Sequence, residues 1–272
     1  MTENWTYWHT FSLLIILLGV ALFCWRIPTE QIVLMWVLIM GAFFLFLMAA
    51  ADGITGRFWF GWLINEQNRL SLSRFQMSLW TIVVLSAFLT AIVFNLRKGH
   101  VGTALDVAIP EEVWVAMGIS TASFVGSPLI LQEKRKKKTN VTELETYVPE
   151  LKQALDGESK ERRAEEIRRY AAGNLIRNLK PEDARLNELI TGEEVGNVKV
   201  LDLSRLQNLF FTLIIVGMYA ASLGLFLAGA ADTELVSQFP AFSSSAAVLL
   251  GISHGGYLMN KAVDKQPEGE ND

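Results

Sequence analysis

Six apolar runs decide what this chain can fold into. They cover roughly Phe11–Trp25, Gln31–Ala50, Phe75–Phe94, Val113–Leu131, Leu206–Ala228 and Phe242–Met259, and none has an Asp, Glu, Lys or Arg in its interior. A helix rising about 1.5 Å per residue needs about 20 such residues to cross ~30 Å of hydrocarbon. The hydrophobic content is 51%, but its concentration in runs is what fixes the class. The expectation is an all-α integral membrane protein with six transmembrane helices. The first run has no Lys or Arg before it and ends in the bulky Leu22-Phe23-Cys24-Trp25, unlike a cleaved signal peptide. With Trp5, Tyr7 and Trp8 at its head, it reads as a retained first helix anchored at the headgroups.

The charges orient the spans. Lys134-Arg135-Lys136-Lys137-Lys138 follows the fourth run directly and marks the cytoplasmic side. Arg57, Arg69 and Arg74 then also fall inside, against Arg26, Arg97 and Lys98 outside. Both termini are expected in the cytoplasm. The net charge of −4 offers no basic field for nucleic acid, and the single Cys24 has no internal disulfide partner.

The core is written twice. "LSRFQ" at Leu72–Gln76 recurs as "LSRLQ" at Leu203–Gln207, and Thr81 recurs as Thr212. "GISTASFVG" (Gly118–Gly126) pairs with "GISHGGYLM" (Gly251–Met259), and Pro110 and Pro240 precede these stretches. Each copy holds two spans, so both keep one orientation, as in a parallel repeat. The expected organisation is an N-terminal hairpin over residues 1–56, a first copy over 57–131, a cytoplasmic helical insert over 132–201, a second copy over 202–263 and a disordered tail over 264–272. Within the insert, Ala164, Ile167, Ala171, Leu175 and Ile176 recur at helical spacing, which predicts one amphipathic helix over Lys160–Leu179.

The stretch "ELITGEEVGNVKVLDLSRLQNLFFTLII", followed by "LLGISHGGYLMNKAV", resembles an uncharacterised bacterial inner-membrane family. The resemblance covers roughly Gly61–Val263. It rests on Gly192, Glu193, Glu194, Asn197, Asp202, Gln207, Gly251, Ser253, Tyr257, Asn260 and Lys261. It implies a bacterial inner-membrane location and no activity.

Each motif has a plain and a sharper reading. Ser71 and Ser73, or Asp202 and Ser204, are N-cap types; Arg74 and Arg205 suit the phosphate level; Gln76, Thr81, Gln207 and Thr212 can bond between helices. The sharper alternative sets the two motifs side by side around a cytoplasmic vestibule. Gly118, Ala122 and Gly126, with Ala247, Gly251 and Gly255, form small-residue stripes that suit close helix packing, flanked by Ser120, Ser123 and Ser253. His254 reads as a structural hydrogen bond or as a gating or proton-linked group. Glu193, Glu194, Asn197 and Asp202 read as a solvated acidic turn or as weak oxygen ligands for a divalent cation. Lys134, Arg135, Lys136, Lys137 and Lys138 signal topology and could also hold anionic lipid.

No Walker A, HExxH, CxxC or GxSxG pattern occurs, and no cofactor is expected. The leading expectation is a non-catalytic, homo-oligomeric membrane anchor or scaffold whose residues 132–201 hold a cytoplasmic protein partner. A small-ion channel is the alternative, and an intramembrane enzyme stands third.

Overall fold

The computed structural model describes residues 5–265. The chain is mostly helical: α1 (Tyr7–Arg26), α2 (Ile32–Thr55), α3 (Leu72–Arg97), α4 (Glu111–Arg135), α5 (Val141–Tyr147), α6 (Pro149–Leu155), α7 (Lys160–Tyr170), α8 (Leu203–Ala230) and α9 (Ser244–Ala262). Among the described residues, five segments are long and apolar enough to cross a membrane: Tyr7–Arg26, Thr29–Thr55, Leu72–Arg97, Glu111–Arg135 and Leu203–Ala230. The sixth run also folds as a helix, the 19-residue α9, but its serines, glycines and His254 leave it less apolar than the others. Most of the expected tail, residues 266–272, lies outside the described residues.

The helix ends follow local chemistry. Ser71 caps α3 through its hydroxyl, and Asp202 caps α8 by accepting from the amides of Ser204 and Arg205. Glu111 and Glu112 open α4 and Lys134 and Arg135 close it, matching the helix dipole at both ends. Gly56 ends α2 at a φ of 70°, a left-handed turn that a Cβ would strain. Pro128 lies inside α4, and the helix continues through it.

Helices α3, α4, α9 and α8 pack in a closed ring, with α4 against α9 the most extensive contact. α2 leans on α3 and α8, and α1 lies on α2 with only Cys24 fully buried. At the heart of the ring, Trp80, Tyr219 and Phe242 meet edge to face or tilted, with centroids 5.6–6.0 Å apart. At the far end, the Asn95 amide bonds the backbone of Val236 in both directions, at 2.8 and 2.9 Å, tying the end of α3 to the loop between α8 and α9.

The insert corrects one expectation. The helix expected over Lys160–Leu179 ends at Tyr170, and Ala171–Ala172 (β1) pairs antiparallel with Leu175–Ile176 (β2). Gly173, at a φ of 61°, makes the turn, and a Cβ there would strike the carbonyls of Lys134 and Arg135. Ala171, Leu175 and Ile176 are buried, but as hairpin residues; Ala171 and Ile176 join Leu144, Leu151, Leu155 and Val195 in a small core of the insert. The Gly-Asn pair at the turn is a hairpin signal that outranks the helical spacing around it.

Truncating Trp80, which is 1% exposed, is expected to cost about 3–5 kcal/mol. Trp8→Ala, at an outward-facing position, should change stability by no more than about 0.5 kcal/mol. Reversible unfolding in detergent, followed by far-ultraviolet circular dichroism, checks both.

Candidate functional site

Two polar layers lie inside the ring, and the chain's unusual residues collect in them. The upper layer sits where the insert meets α8 and α9. Glu193 receives Arg205 at 3.1 Å and Lys261 at 2.7 Å. Lys134 pairs with Glu194 at 2.5 Å and also donates to the carbonyl of Val263. Asp202 accepts from Asn260 at 3.1 Å as well as capping α8. Four cations, Lys134, Arg205, Lys261 and Lys265, and three carboxylates, Glu193, Glu194 and Asp202, thus line one narrow cleft together with Tyr257 and Asn197. Beside it, Glu188 accepts from the Leu70 amide at 2.8 Å and from Asn178 at 2.7 Å, with the buried Arg69 at 3.7 Å.

The electrostatics follow from burial and pairing. Burial alone would raise the pKa of Glu193, but Lys261 and Arg205 together outweigh it and hold the carboxyl well below the usual range. Burial lowers the pKa of Arg69, and Glu188 and Glu193 offset this only in part. Gly192 is required at the turn before Glu193, because a Cβ would overlap the Asn197 side chain. That side chain accepts from the Glu194 amide at 3.0 Å.

A lower layer continues from Lys261, whose ammonium donates to the Tyr257 hydroxyl at 3.1 Å. Tyr257, Ser73 of α3 and Ser127 of α4 form a triangle of hydroxyls 3.1–3.3 Å apart. Below it, Gln76 donates to Thr212 at 2.7 Å, Ser253 donates to Asn208 at 3.0 Å, and Ser123 meets Nδ1 of His254 at 2.6 Å. Each of these groups is buried. Yet Gln76 Oε1, Asn208 Nδ2, Ser120 Oγ and His254 Nε2 have no partner among the described residues.

Several expected residues fall elsewhere. Gln207 is exposed and Thr81 is half-buried, so neither joins the layers. Arg205 is buried against Glu193, because α8 turns it inward. Gly118, Ala122 and Gly255 are exposed, and Gly118 and Gly255 have open space where a Cβ would go. Ala247 is buried, while Gly126 and Gly251 only approach Leu258 and Ile119. The α4–α9 contact therefore runs along Ser120, Ser123 and Ser127 in place of the glycine stripe.

The candidate oxygen ligands are already engaged. Glu193, Glu194 and Asp202 each hold a donor of the chain, and among the described residues no group of three His, Cys, Asp or Glu is arranged for a metal ion. In the basic run, Lys134 is buried, Arg135 pairs with Glu66, Lys136 with Glu133 and Lys137 with Asp264, and Lys138 is exposed.

Sequence reading missed Asn208, Ser127 and Arg69. The signal for the first two was periodicity. Ser73, Gln76 and Trp80 are buried on α3, and Arg205, Asn208 and Thr212 are buried on α8 at the same spacing. The inward face of the second copy is therefore one residue later than the aligned motif, a turn of about 100°.

Comparison with known proteins returns no matching family model, no matching curated protein and no matching solved structure.

Glu193→Gln strands Arg205 and Lys261 in a buried site and should cost about 3–5 kcal/mol. The stabilisation from Glu193 is fully present above the ordinary Glu pKa of about 4.3 and erodes as pH falls from there toward its depressed folded value. Thermal melts across the acid range should fall more steeply for the parent chain than for Glu193→Gln. Parallel curves would sink the assignment.

Proposed function

We propose that this chain is a non-catalytic, multi-pass scaffold of a bacterial inner membrane that presents residues 132–201 as a fixed cytoplasmic platform for a protein partner. In this reading α9 serves as the sixth span, α3–α4 and α8–α9 are parallel repeats, both termini lie in the cytoplasm, and copies associate as a homo-oligomer.

The observation that carries the reading is how the insert is joined to the spans. A flexible tether would need contacts only at its ends. Here Lys134 is tied to Glu194, Arg205 and Lys261 to Glu193, and Arg57 donates to the carbonyls of Pro181 and Ala184 at 2.9 and 2.8 Å. Asn68 and Asn178 also exchange side-chain bonds to each other's backbone carbonyls. Charged pairs with buried partners are costly to break, so the platform keeps one pose relative to the helices. Its outer helix α7, with sequence KERRAEEIRRY, buries none of its residues and offers a mixed-charge face.

A specific observation favours a second reading, an ion pathway. Gln76, Asn208, Thr212, Ser253 and His254 form a polar layer deep in an apolar bundle, and polar groups at such depth mark ion pathways in other membrane proteins. Against it, Gln76 and Ser123 are both fully buried and reach no water from either side in this conformation.

Reconstitution into a planar lipid bilayer separates the two. The scaffold reading expects a silent bilayer with oriented protein present, and it expects cysteines placed at Gln76 or Ser123 to resist aqueous thiol reagents. It also expects a chain with Arg162, Arg163, Arg168 and Arg169 changed to Gln to insert normally but lose its cross-linked protein neighbours in native membranes. Discrete conductance steps that vanish in Gln76→Ala would replace the scaffold with a pore.

A further inference from the structure

The two motif arginines have opposite surroundings. Arg205 is 3% exposed and saturated: Glu193 takes one nitrogen, and the carbonyls of Leu189 and Glu188 take two others at 3.1 and 2.9 Å. Arg74 is half-buried, and its guanidinium makes no hydrogen bond or ion pair with any described residue. It lies over the Phe124 ring, at 6.0 Å to the centroid. A guanidinium carries five donors in a planar fork suited to carboxylate or phosphate, so the half-open groove offers an anion a ready partner.

The groove lies between the start of α3 and the end of α4 and is lined by Glu66, Ser71, Arg74, Phe124, Pro128 and Arg135. Glu66, its one carboxylate, pairs with Arg135 and also acts on Arg74, so two arginines share one carboxylate and the groove carries net positive charge. The first-turn amides of Leu72 and Ser73 have no acceptor among the described residues, which adds the positive end of a 26-residue helix. Arg69 stands behind the groove without lining it. It is 3% exposed, its Nη1 has no partner, and it lines a void that shares Asn65, Gln67 and Leu131 with the groove. Toward the apolar zone, Val125 and Leu129 of α4 are exposed beside the groove, a surface for an acyl chain.

We propose that this groove holds the phosphate group of an anionic phospholipid from the cytoplasmic leaflet, with Arg74 as its principal donor. The phosphate does for Arg74 what Glu193 does for Arg205. One motif is closed by a carboxylate of the chain itself, and the other is completed by the membrane. A phosphodiester gives the fork two oxygens and gives the α3 amides a negative charge, while Val125 and Leu129 guide the tail.

Native mass spectrometry of the full chain, released from detergent containing phosphatidylglycerol or phosphatidylcholine, tests this. Wild-type protein should retain phosphatidylglycerol preferentially. Arg74→Gln should lower that occupancy about tenfold, the loss expected for charge-assisted hydrogen bonds, with its thermal melt unchanged. Arg74→Lys, which keeps the charge and loses the fork, should fall between the two. Equal retention of both lipids by the wild type, or unchanged retention by Arg74→Gln, would overturn the proposal. Displacement of the lipid by inorganic phosphate alone would overturn the lipid assignment and give the groove to a soluble anion.

Discussion

Glu193 is the carboxylate on which the junction of the long apolar helices and the insert depends. It stands on the loop before α8 and joins Arg205 of α8 to Lys261 of α9. Neither cation is stable alone at that depth, and the carboxylate is equally unstable without them. Lys261 then reaches Tyr257, and Tyr257 reaches Ser73 and Ser127, so all four helices of the ring meet the insert through a short polar chain. Shape complementarity among apolar helices leaves sliding and rotation weakly opposed in lipid. Directional bonds of this kind fix which helix faces which.

Much of the fold was legible because membrane helices carry a strong signal. The six runs became helices, and the caps Ser71 and Asp202 serve as their residue types predict. Glu193, Glu194, Asn197 and Asp202 stand out in sequence as one acidic stretch, but that Tyr257, Asn260 and Lys261 meet them in one cleft is decided by the tertiary packing. What could not be read was rotation. Aligning the two LSR[FL]Q motifs pairs Gln76 with Gln207, yet the helices present Gln76 and Asn208 inward. A recurring motif fixes positions along the chain. The angle of each helix about its own axis is set later, by packing, and here one residue of difference separates a sheltered arginine from a half-open one.

The insert failed to yield to sequence for a different reason. Periodicity of 3.6 over Ala164–Ile176 was genuine, but a two-residue turn at Gly173 and Asn174 interrupts it, and short apolar stretches fit either a helix or a hairpin. The arbiter was tertiary. The carbonyl of Lys134 at the end of α4 accepts the Asn174 amide at 3.1 Å, and only a chain without a Cβ at Gly173 can come that close.

The burial of Lys134 has a consequence for how the protein is made. Its partner Glu194 lies 60 residues downstream. At ribosomal rates of about 5–20 residues per second, Lys134 waits about 3–12 s for that carboxylate. During the interval it is an exposed cation beside Arg135 and its neighbouring lysines, in the state in which positive charge resists translocation. On the topology proposed above, the same side chain acts twice in sequence: first as a brake that holds the end of α4 to the cytoplasmic side during biogenesis, then as the buried anchor of the finished junction. The two roles do not compete, because the second begins only after the orientation is set.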